Sequence, residues 1–195
     1  MIAMAKNYEF RPDKPQNSFL SHLILTQKQQ KNLLKWVLYS LFLVFLSVVQ
    51  DVLLSRMRLL GATTELVPCA IFLICIMEGT HRGSVFALVA GLLYLFSGTA
   101  PGPYSMVAIT FYSIGVCIFR QAFLQESFSS AMLCVAVAML AYVLTNFAFG
   151  LFLGLTLLSR FHGFLITAGL SLLAAPVFYP IFKAIGAIGG YSWKE

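Results

Sequence analysis

The residues able to do chemistry are few and poorly placed for it. The three histidines, His22, His81 and His162, are expected in tail or loop positions, and none belongs to an H-E-x-x-H helix. Cys69, Cys75, Cys117 and Cys134 all lie inside apolar runs, with no C-x-x-C spacing or neighbouring histidine to suggest a metal site. Cys69 and Cys75 are six apart, so a helix points them to different faces, and all four read as small buried hydrophobes. No G-x-S-x-G elbow and no pair of acids within an apolar stretch occurs. GTAPGP, from Gly98 to Pro103, is glycine-rich but lacks the Lys-Ser/Thr of a phosphate loop. A reaction needs convergent groups, so the expectation is no enzyme, no catalytic residue, no cofactor and no metal.

Residues that mediate contact are better represented. Gly83, Ala87 and Gly91 recur every fourth position, Gly150 and Gly154 form a GxxxG pair, and Ser171 with Ala175 repeats the spacing. Small faces of this kind let helix backbones approach closely where lipid supplies no hydrophobic drive. Contact within one bundle is the first reading, and contact with a partner's membrane helix is the second. Asn146, beside Thr145 in a long apolar run, is expected to find an interhelical hydrogen bond or, more sharply, a partner or substrate. Asp51, after Gln50, is expected to pair with Arg56 or Arg58, and Glu78 to be neutralised by His81 and Arg82. Pro176 and Pro180 predict a kink.

The elements that must position these residues follow from composition. Of 195 residues, 59% are apolar and 10% charged, and the mean hydropathy is +0.86. A soluble domain is roughly 45–50% apolar and about 25% charged, so this chain has too little polar surface to cover a water-soluble core. The expected fold is all-α, a polytopic membrane bundle of six helices. Its spans run over about 35–54, 62–79, 84–97, 104–119, 131–158 and 164–188, with Arg160, His162 and Gly163 breaking the fifth from the sixth. The alternative is four full spans with residues 62–97 as a re-entrant hairpin. Residues 1–30 are expected to form a cytoplasmic tail carrying a candidate interfacial helix over 18–31, and residues 31–195 the transmembrane bundle. The first run is too long for a signal-peptide core, and no A-x-A site follows, so it reads as a retained anchor.

Charge orients the bundle. Residues 1–35 hold six cations against Glu9 and Asp13. With six spans, ten of the thirteen Lys and Arg residues fall on the N-terminal side, which places both termini in the cytoplasm. The basic flank also attracts anionic membrane lipid. The six charges are spread over 30 residues with no accompanying motif, which argues against nucleic acid.

The first span ends near the pair Gln50–Asp51, and the second contains Pro68 and ends in Glu78–Gly79. The third reads GSVFALVAGLLYLFSG and is followed by a Pro-Gly loop. This pattern, clearest from Pro68 to Met106, resembles the MreD family of bacterial rod shape-determining membrane proteins. The family often places an acid just after the G-L-L-x of this span; Leu95 stands there, so no role for that acid carries over. The resemblance implies a non-catalytic, multi-pass scaffold of the bacterial inner membrane, serving cell shape and peptidoglycan elongation. It also implies contact with an MreC-like single-span protein, and with an MreB-like filament and the RodA/penicillin-binding protein assembly. The implied fold resembles the six-helix S-components of energy-coupling factor transporters, which supplies the alternative of a vitamin-binding subunit. Those subunits carry A-x-x-x-A on the first helix, whereas WVLYSLFLVFLSVVQD has no alanine.

Overall fold

The computed structural model of the chain describes residues 27–54, 63–98, 100–123 and 127–188. Six α-helices and no strand occur among the described residues: α1 (Gln27–Val49), α2 (Leu66–Glu78), α3 (Thr80–Phe96), α4 (Pro103–Phe123), α5 (Phe128–Phe152) and α6 (Phe161–Ile188). α1 continues into a π-helical turn, Gln50–Leu54, and a 3-10 turn, Leu158–Arg160, leads into α6. α1, α4, α5 and α6 are long and apolar enough to cross a membrane, while α2 and α3 are shorter apolar helices. Helix α1 begins four residues ahead of the expected bundle boundary at 31. Most of the candidate interfacial helix lies outside the described residues.

Two boundaries differ from expectation for local reasons. Helix α5 ends at Phe152 rather than Leu158 because Gly154 adopts φ +70. The amides of Leu155 and Thr156 then both donate to the Gly150 carbonyl, closing the helix end as a left-handed glycine permits. His162 and Gly163, expected to break the chain, lie instead in the first turn of α6, which runs on through Pro176 and Pro180. The polar segment expected between the second and third spans shrinks to one residue, Gly79 at φ +82, so His81 and Arg82 belong to the first turn of α3.

Helix α2 is the centre. Its sequence, LVPCAIFLICIME, has no polar face, and a helix apolar all round belongs in an interior. Every residue from Leu66 to Glu78 is buried, with α1, α3, α4, α5 and α6 all packed against it. All four cysteines are free and buried, as their apolar settings implied.

The ends of α2 are received by side chains from other helices. Its first four amides have no partner within the helix. The Glu65 amide donates to Ser171 Oγ at 2.8 Å, and those of Leu66 and Val67 to Gln50 Oε1 at 2.9 and 3.2 Å. The fourth position is Pro68, which has no amide to satisfy. At the other end Glu78 carries a negative charge where the helix dipole is already negative. Lys35 Nζ meets Glu78 Oε2 at 2.6 Å, both side chains being almost wholly buried, and the Tyr39 hydroxyl donates to Oε1 at 3.0 Å. Lys35 is therefore the counter-ion of Glu78 inside the bundle rather than a flank charge. His81 and Arg82 were expected in that role, but both are exposed at the start of α3.

Removing one member of a buried pair strands the other charge. Lys35→Met should lower the unfolding free energy by about 3–5 kcal/mol. Glu78→Gln added to Lys35→Met should recover most of that loss, and equilibrium unfolding in detergent micelles checks both variants.

Candidate functional site

The small-residue face of α3 is turned inward. Ala87 is fully buried, and a Cβ at Gly83 would sit 3.2 Å from both Cys117 Sγ and the Cys75 Cα. A Cβ at Gly91 would contact Met106 and Thr110 of α4. Gly83, Ala87 and Gly91 therefore bring α3 against α2 and α4, and their close approach is spent within the chain. Gly150 and Gly154 do not form a helix face. Gly150 lies under Thr156, whose Oγ1 would be 2.9 Å from an added Cβ, and Gly154 belongs to the turn beyond α5. Ser171 and Ala175 are buried, and Ser171 serves as the cap for α2 described above.

The polar side chains at depth gather at the α2 N-terminus. Gln50, at the start of the π turn, bridges two elements: its carbonyl oxygen takes the two α2 amides and its Nε2 donates to the Tyr94 hydroxyl at 3.3 Å. A π turn inserts an extra residue per turn, and such insertions often aim a side chain for a specific task. Tyr142 and Asn146, one helical turn apart on α5, lie in the same layer as Glu65. Glu65 Oε2, the Tyr142 hydroxyl and both polar atoms of Asn146 are buried without a hydrogen bond of good geometry. The interhelical bond expected of Asn146 is thus not formed; its neighbour Thr145 is the residue that bridges helices, to the Tyr112 hydroxyl of α4. Arg56 and Arg58, the expected partners of Asp51, lie outside the described residues.

From sequence, Lys35 reads as a flank charge, and Tyr39, Glu65, Tyr94 and Tyr142 are not singled out. Only Glu65 offered a signal, as an acid directly before the most apolar run in the chain. Chemically, the arrangement caps and registers helices. Among the described residues no three His, Cys, Asp or Glu side chains group as a metal site.

Comparison of the chain with protein-family models, with curated proteins and with solved structures returns no significant match.

Two contrasts separate these roles. Gln50→Leu strips two buried amides of their acceptor and should cost about 1–3 kcal/mol, whereas Asn146→Leu removes groups that already lack partners and should be near neutral. Gly83→Leu should cost about 1–3 kcal/mol or more by overpacking against α2. Gly169→Leu should stay within about 0.5 kcal/mol, because Gly169 has open space around its Cα. Thermal melting of each purified variant reads both comparisons.

Proposed function

We propose that the chain is a multi-pass scaffold of the bacterial inner membrane, acting in the cell-elongation machinery by binding rather than by reaction. The observation that carries this reading is the use of the depth-placed polar groups. Lys35, Gln50 and Ser171 each receive an end of α2, which leaves an apolar bundle with no convergent catalytic set among the described residues. The MreD resemblance over Pro68 to Met106 supplies the biological setting. It points to an MreC-like single-span protein as the first partner, with an MreB-like filament and the RodA/penicillin-binding protein assembly beyond it.

Six crossings are favoured over a re-entrant hairpin by register. The start of α1 meets the end of α2 through Lys35 and Glu78, and the end of α1 meets the start of α2 through Gln50. Tyr94, near the end of α3, returns to Gln50. The two short helices thus run the same height as the central part of α1. With Lys35 set aside as the buried partner of Glu78, nine of the other twelve cations fall on the N-terminal side, which favours both termini in the cytoplasm.

Because the Gly83, Ala87 and Gly91 face is occupied inside the chain, the outward faces of α1, α4, α5 and α6, and the valine and leucine face of α3, are the ones open to partners. A second reading, the vitamin-binding subunit of an energy-coupling factor transporter, draws on the unpartnered polar atoms of Glu65, Tyr142 and Asn146.

Affinity capture of the tagged chain from native bacterial membranes, followed by mass spectrometry, distinguishes the two. Recovery of an MreC-like single-span protein at near-stoichiometric yield is the expected result. Recovery of a coupling subunit with its ATPases, or retention of a vitamin through purification, would overturn the scaffold reading.

A further inference from the structure

A cleft of about 440 Å³ opens between α1 and α3 on the side of α3 opposite its glycines. One end of it is lined by His81 and Arg82, in the first turn of α3, together with Trp36 of α1. Val85, Val89 and Leu93 line its length and are 63%, 48% and 49% exposed. Phe86 also lines it at this end, its ring tilted against Trp36 at 5.2 Å between centroids.

Three features identify the occupant. The first is charge: both ionisable side chains in the cleft are basic types, and no acidic side chain lines it. Glu78, the nearest acid in sequence, is engaged by Lys35, and the Arg120 guanidinium lies over Gly79 on the other side of the hairpin. The second is length: Arg82 to Leu93 along a helix is about 16 Å, roughly half of a hydrocarbon core of about 30 Å. That matches the depth of one leaflet, whereas a partner's transmembrane helix would require the full thickness. The third is the tryptophan at the charged end, where amphipathic rings mark the level of lipid headgroups.

We propose that this cleft binds an anionic phospholipid of the leaflet that Arg82 faces. One acyl chain lies along Val85, Val89 and Leu93, and the phosphate is held by Arg82 with His81 beside it. Basic pockets between membrane helices select anionic headgroups by this means. The proposal rests on membrane embedding alone and stands whether the chain is a scaffold or a transporter subunit.

Trp36 provides the reporter. The chain has two tryptophans, so Trp193→Phe leaves Trp36 as the sole one. The full chain with that substitution is reconstituted into phosphatidylcholine vesicles containing a minor fraction of either brominated phosphatidylglycerol or brominated phosphatidylcholine. The brominated anionic lipid should quench Trp36 with roughly fivefold higher apparent affinity, the preference expected for one well-placed cation near the membrane surface. Arg82→Gln should abolish the preference and Arg82→Lys should keep most of it. Val89→Phe, which fills the cleft without touching charge, should weaken quenching by the anionic lipid.

Equal quenching by the two lipids would mean ordinary surrounding lipid and would overturn the proposal. Quenching below the lipid mole fraction in both cases would mean that protein, such as a second copy, fills the cleft, and would overturn it too. A preference that survives both Arg82→Gln and Val89→Phe has the same consequence. Helical circular dichroism and a single elution peak confirm that each variant is folded; if Arg82→Gln fails that check, Val89→Phe alone decides.

Discussion

The structure depends on holding a helix that is too short and too apolar to stand alone. α2 has thirteen residues, about 20 Å of helix, against a bilayer core of about 30 Å. In a bilayer, an isolated helix of this length would leave its terminal amides and carbonyls in hydrocarbon, where each unsatisfied group costs several kcal/mol. Five surrounding helices enclose it altogether, and their side chains take over its ends. Gln50 and Ser171 accept the amides at one end, and Lys35 with Tyr39 meets Glu78 at the other.

The Lys35–Glu78 pair is better understood as a register device than as a source of stability. Two charges withdrawn from water lose most of what their attraction returns, and a hydrophobic pair of the same volume often does as well. What the pair does is exclude alternatives. Sliding α1 along α2 by one turn would part Lys35 and Tyr39 from Glu78, and Gln50 from the amides of Leu66 and Val67, all at once. Apolar helix faces tolerate many registers, so the polar contacts at both ends select one.

Small residues then decide which surfaces remain outside. α3 spends its glycines on α2 and α4, so its valines and leucines face outward, toward the cleft beside α1. The same logic explains why a small-xxx-small pattern alone does not mark an external interface. Gly83 and Gly91 are read the same way from sequence whether the neighbouring helix belongs to this chain or another, and Gly154 matches the spacing although it lies in a turn.

The sequence by itself determined a strongly apolar chain, the approximate positions of the six α-helices among the described residues and the buried setting of the cysteines. These properties depend on composition and on neighbours a few residues away. Asn146 was legible as a buried polar residue, since an amide within an apolar run must be buried somewhere. That it lacks a hydrogen bond, while Thr145 reaches Tyr112, depends on the rotation of α5 against α4. Likewise, His81 and Arg82 stood nearest to Glu78 in the chain, but Lys35, 43 residues away, became its partner. Only tertiary structure could decide these matters, because apolar helices pack without directional preference and long-range polar contacts choose among the arrangements. The clearest case is α2, whose sequence says that it is buried but not what receives its ends.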